Sequence, residues 1–103
     1  MTSTLLSDNF IRNVRITARI LDSINHRLRK RILHEIETYG SLNVEALSSL
    51  LDIKSRLVIQ HLEVLRKEKI VTLHREGKQF FYEINYERLE KINTVIHGLA
   101  EDY

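Results

Sequence analysis

The chain has 103 residues, 43% of them hydrophobic and 29% charged, a net charge of +2, and neither cysteine nor proline. That is room for one domain with one modest core, and it excludes disulfides, thiolate metal sites and thiol redox chemistry. No apolar run nears the roughly 20 residues of a membrane span, and the opening MTSTLLSDNFIRNVR lacks the basic head, long apolar stretch and cleavage site of a signal peptide, so a cytoplasmic address is expected.

Without proline, and with glycine only at Gly40, Gly77 and Gly98, long helices with few sharp turns are favoured. The first predicted helix spans about 8–22, capped by Ser7 or Asp8, with Phe10, Val14, Thr17 (or Ala18) and Leu21 at helical spacing. The second spans about 26–38, with Asn25 as cap, Leu28, Ile32, Leu33 and Ile36 as its apolar line, and Gly40 as its stop. A short third helix, about 44–51, is capped by Asn43 and carries Leu47, Leu50 and Leu51. The fourth covers about 55–68 with Ser55 as cap.

After Lys69 the apolar period changes from 3.6 to 2. IVTLHR and KQFFYEI read as two strands around Glu76-Gly77, with Leu73 opposite Phe80 and Val71 opposite Tyr82. The last helix covers about 86–101; Leu89, Ile92, Ile96, Leu99 and Tyr103 step by 3, 4, 3 and 4, the spacing of a packing seam. Five helices and one β-hairpin in this order make a mainly α (α+β) chain with the layout of a winged helix-turn-helix.

Charge is unevenly spread. Residues 1–36 and 54–78 each hold seven basic and three acidic side chains, whereas 37–53 and 79–103 are net acidic, a pattern that suits either a polyanion partner or solvated helix faces. The fourth helix separates by period. Val58, Leu62 and Leu65 form one stripe with Leu57, His61 and Val64 on its flank, and these can bury; Ser55, Arg56, Ile59, Gln60 and Glu63 lie opposite. A helix of this width fits the major groove of double-stranded DNA, where Arg56 suits guanine, Gln60 suits adenine, and Ile59 offers only apolar contact. Lys54 and Ser55 sit where open backbone amides favour a phosphate. Arg75 and Lys78 flank the glycine of the hairpin tip, within reach of phosphates or the minor groove, unless the tip is merely a solvated turn.

From about Ile24 to Asn85 the sequence resembles the ArsR/SmtB family of bacterial winged-helix repressors, in INHRLRKRIL, VEALSSLLDI, VIQHLEVLRKEKIV and REGKQFFYEI. The resemblance implies a homodimer that binds a pseudo-palindromic operator and represses transcription. One unit is expected over 1–103: dimerisation helices at 1–23 and 86–103, the helix-turn-helix at 43–68 and the wing at 70–85. The dimer surface is expected from Phe10, Val14, Leu21, Leu89, Ile92, Ile96 and Leu99. Two departures stand out: Ile59 and Leu57 replace hydroxyl residues usual in the family, and Arg27 replaces a common proline.

The resemblance also implies metal sites to look for. The cysteine site is absent. Aligning the last helix by its wing places Tyr86, Arg88, Leu99 and Asp102 at the other site, and only Asp102 could ligate. His97 with Glu101, four residues on, could make at most half a site across a dimer, against the plainer reading of surface side chains. His61 reads as a packing or hydrogen-bonding residue. No cofactor is expected, and the effector, whether an apolar ligand, a protein or none, stays open. No nucleophile elbow, phosphate loop or zinc-hydrolase motif is present, so an enzyme is not expected. The rival reading is a winged-helix protein–protein adaptor with little DNA binding, which Ile59 and Leu57 favour and the basic residues oppose.

Overall fold

The computed structural model describes residues 7–101, with side chains as far as Gly98. Ser7 opens α1 (Asp8–Ile24), its hydroxyl accepting from the Phe10 amide at 3.1 Å. Asn25 closes this helix, its amide donating to Leu21 O, and is therefore not the cap expected for the next one. That cap is His26, whose Nδ1 accepts from the Leu28 amide at 3.1 Å, so α2 runs Arg27–Tyr39, one residue later than predicted. Gly40 stops α2 at φ +89°, in a region that side chains avoid.

Asn43 caps α3 (Val44–Leu51), its Oδ1 2.8 Å from the Ala46 amide. The chain then turns within three residues. Asp52 adopts the left-handed conformation, which its short polar side chain tolerates, and the Ser48 hydroxyl donates to Ile53 O at 2.5 Å. Next comes α4 (Ser55–Lys67); its cap position falls on Lys54, with no side chain accepting there, which corrects the expectation for Ser55. At its far end Lys69 takes φ +63°, the Lys69 amide bonds to Arg66 O and the Ile70 amide to Leu65 O. This paired closure satisfies the last carbonyls of the helix and turns the chain into the wing.

The wing is an antiparallel pair, β1 (Val71–Glu76) and β2 (Gln79–Ile84). Leu73 pairs with Tyr82, Val71 with Ile84 and Arg75 with Phe80, two residues away from the predicted register. The slip is even, so each side chain keeps its face. It arises because the tip is the two-residue turn Gly77-Lys78, with positive φ at the glycine only, rather than a turn centred on Glu76-Gly77. A single antiparallel bridge, Leu42 to Tyr82, pins this two-stranded wing to the segment just before α3. Asn85 then caps α5 (Tyr86–Glu101) through the Arg88 amide, while its side-chain amide donates to Lys69 O at 3.0 Å.

The core lies between α2, α3, α4 and the wing base. Ile32, Ile36, Leu47, Val58, Leu62, Leu65 and Ile70 are fully enclosed, and Ile20 of α1, Tyr82 of β2 and Ile92 of α5 complete it. Val64, on the flank expected to bury, remains exposed, as does Leu50. Among the described residues no helix is long and apolar enough to cross a membrane.

Candidate nucleic-acid interface

One side of α4 is sealed into the core by Val58, His61, Leu62 and Leu65. Burial of that stripe leaves the opposite side, with Arg56, Ile59, Gln60 and Glu63, facing solvent. Lys54 and Ser55 are exposed at the start of the helix. The amides of Ser55 and Arg56 find no acceptor among the described residues, as expected of a first turn without a side-chain cap. The side chains of Arg56 and Gln60 likewise make no hydrogen bond or ion pair among the described residues, so both are available to a ligand. The acid on this face is neutralised: Arg66 grips Glu63 with two hydrogen bonds of 3.1 Å, holding the Glu63 carboxyl below its usual range.

The wing stands beside the first turn of this helix. A cleft between them is lined by Val44, Ser55, Ile59, Lys78 and Phe80. The Asn43 side-chain amide donates to Gln79 Oε1 at 3.3 Å and helps set the wing's position. At the tip, Arg75 Nε donates to Gly77 O at 2.6 Å and its guanidinium lies 5.9 Å from the centroid of the Phe80 ring. Lys54, Ser55, Arg56, Ile59 and Gln60 thus share one exposed surface, and Lys78 meets Ser55 and Ile59 at its wing side.

Behind α4 sits a group that periodicity did not reveal. The buried His61 ring packs on His26, with centroids 4.5 Å apart, and its Nδ1 lies 3.2 Å from the Arg29 guanidinium. Arg29 also donates to Ser23 O at the end of α1. Burial first, then the charges of His26 and Arg29, hold the His61 pKa below its ordinary value. The Arg29 guanidinium can only donate, so His61 Nδ1 accepts at this junction of α1, α2 and α4, an arrangement that suits a neutral His61 ring.

The terminal helices divide their apolar residues. Ile20 faces the core, but Val14 and Leu21 are 40% and 49% exposed, and Phe10 is half-buried. On α5, Ile92 enters the protomer core and Leu89 packs against it, whereas Ile96 is exposed. Leu99, Glu101, Asp102 and Tyr103 lie beyond the last described side chain. Among the described residues, no three His, Asp or Glu side chains gather as metal ligands.

No protein-family model matches the chain. The transcriptional repressor PagR of Bacillus anthracis is 31% identical over 82 residues, covering 80% of this chain and 82% of PagR. The PagR crystal structure superposes with a TM-score of 0.70 at 27% identity, covering 84% of this chain and 98% of that one. An ArsR-like transcriptional regulator from Rhodococcus sp. RHA1 reaches 0.80 at 17% identity, over 86% and 83% of the two chains. The homodimeric winged helix-turn-helix DNA-binding domain from Mycobacterium bovis reaches 0.74 at 21% identity, over 100% and 93%. These last two likenesses concern the fold.

Proposed function

The chain belongs to the ArsR/SmtB family of winged-helix transcriptional regulators, and on that premise we propose that it acts as a homodimeric repressor reading duplex DNA with α4. The observation that carries this reading is the division of α4: a core-locked stripe on one side, and on the other Arg56 and Gln60 exposed and unengaged, with Lys54 at the helix start. A helix held this way enters the major groove with guanidinium and amide groups aimed at base edges. Lys54, Ser55 and the open first-turn amides are placed for a phosphate, and Arg75 and Lys78 on the wing extend the basic surface.

Pairing through α1 and α5 would cover Val14, Leu21 and Ile96, and would present two copies of α4 to successive half-sites about 34 Å apart. The PagR name supports repression, and the homodimeric Mycobacterium domain supports pairing. As a regulator the chain needs no bond-making chemistry, and nothing in its assigned role is enzymatic.

The test is Arg56→Ala on duplexes selected from a random pool by the wild-type protein. Loss of a bidentate base contact should weaken binding by roughly 1–3 kcal/mol, about 5- to 150-fold, and relax preference at one base pair per half-site. Unchanged affinity and an unchanged salt slope would remove α4 as the reading element. The adaptor reading has one observation in its favour, the exposed Ile59; it expects weak duplex binding with little salt dependence, against the steep loss that counterion release imposes on a true reader.

A further inference from the structure

Ile59 lies in the middle of an otherwise polar helix face and is 45% exposed. It cannot donate or accept a hydrogen bond, so it gains nothing from water and nothing from a phosphate. It lies four positions after Ser55, so both lie on the side of α4 nearest the wing, where they line one cleft with Val44, Lys78 and Phe80. Phe80 is itself 51% exposed there. The result is an apolar strip, Ile59 and Phe80, framed by Lys54 and Arg56 on the helix and by Arg75 and Lys78 on the wing. Glu45 is the acid that lines the cleft.

An apolar protein surface would satisfy the strip but not its cationic frame. The edge of a DNA duplex satisfies both. In the major groove each base pair presents a distinct set of donors and acceptors, and the one apolar group among them is the C5 methyl of thymine. Against a guanine, cytosine or adenine edge, Ile59 would cover polar atoms without offering them a partner, which costs free energy. Against a thymine it buries methyl on methyl.

We propose that Ile59 is a specificity-determining residue that reads a thymine methyl group in each operator half-site, on the wing side of the base pair contacted by Arg56. The inference rests on the reading of duplex DNA by α4 proposed above. Ile59 discriminates through lost burial and lost polar partners rather than through hydrogen bonds, and Phe80 and Val44 shield the contact from water on its wing side.

The experiment starts from duplexes selected by the wild-type chain from a random pool. Each thymine in a half-site is then replaced singly by deoxyuridine, which deletes the methyl group and leaves every donor and acceptor in place. Wild-type binding should fall about fourfold at one position per half-site, the worth of burying one methyl-sized group, and stay unchanged at the others. The Ile59→Ala variant, whose substituted side chain is on the surface, should bind the thymine and uracil duplexes alike at that position. Indifference of the wild type to every thymine-to-uracil change would overturn the assignment. So would an Ile59→Ala variant that still prefers thymine there, or one that binds every selected duplex as tightly as wild type, which would leave Ile59 to a protein partner. A pool yielding no enriched, salt-sensitive duplex would overturn the DNA reading itself, and this inference with it.

Discussion

Around α4, every side chain on the inward stripe is closed off by the protomer: Val58, Leu62 and Leu65 have no exposed surface. On α1 the apolar residues divide between two faces, with Ile20 fully buried on one and Val14 and Leu21, seven residues apart on the other, left nearly half in solvent. The difference is one of neighbours. Helix α4 is enclosed by α2, α3 and the wing base, whereas α1 and α5 pack on one side of that unit and offer their other side outward. An apolar stripe wider than one neighbour can cover asks for a second copy; one fully covered asks for nothing and can serve as a fixed platform.

That contrast can be broken from either end. The largest effect on stability is expected for Leu62→Ala, which opens a hole in the closed core and should cost about 2–5 kcal/mol, read from urea unfolding. Leu21→Glu should instead leave the protomer fold intact and weaken pairing by about 2 kcal/mol or more, the size of a central interface residue. Sedimentation would show it as a shift to monomer, with stability that no longer rises with protein concentration.

The junction behind α4 sharpens the contrast through pH. The folded chain binds the His61 proton less readily than the unfolded chain, whose imidazole titrates near 6.5. The unfolded state therefore takes up more protons below that value. The His61 contribution to stability is complete above about pH 6.5 and is lost as pH falls toward the lowered folded value. Melting temperatures measured from pH 8 to pH 5.5 should drop further for the wild type than for His61→Asn. The smallest effect, and a favourable one, is expected for Lys69→Gly: relieving the left-handed φ of +63° should add up to about 1 kcal/mol, partly offset by the entropy of glycine in the unfolded chain.

Much of this molecule is visible in the order of its residues. The switch of period at Lys69 separates helices from wing, and the apolar spacing of α4 identifies its buried stripe as Val58, Leu62 and Leu65. Asn43 and Ser7 announce themselves as caps because a short polar acceptor just before an apolar run has few other uses. Errors cluster where two residues compete for one task. Asn25 and His26 both could cap α2, and Asn25 is taken by the end of α1. Glu76-Gly77 and Gly77-Lys78 both could form the hairpin turn, and pairing along the whole wing selects the second. Val64 stays wet because no neighbouring element reaches that flank of α4.

What the sequence settled by itself is therefore local: where helices lie to within a residue or two, which face of α4 is apolar, and that residues 54–78 carry an excess of positive charge. These follow from short-range rules of hydrogen bonding and periodicity that act within a few residues. Tertiary structure alone decided the rest. It brought Phe80 beside Ile59, twenty-one residues away in the chain, stacked His26 on His61, and chose which apolar faces the protomer would cover. Contacts of that kind depend on how whole elements pack, and no pattern within a single element encodes them.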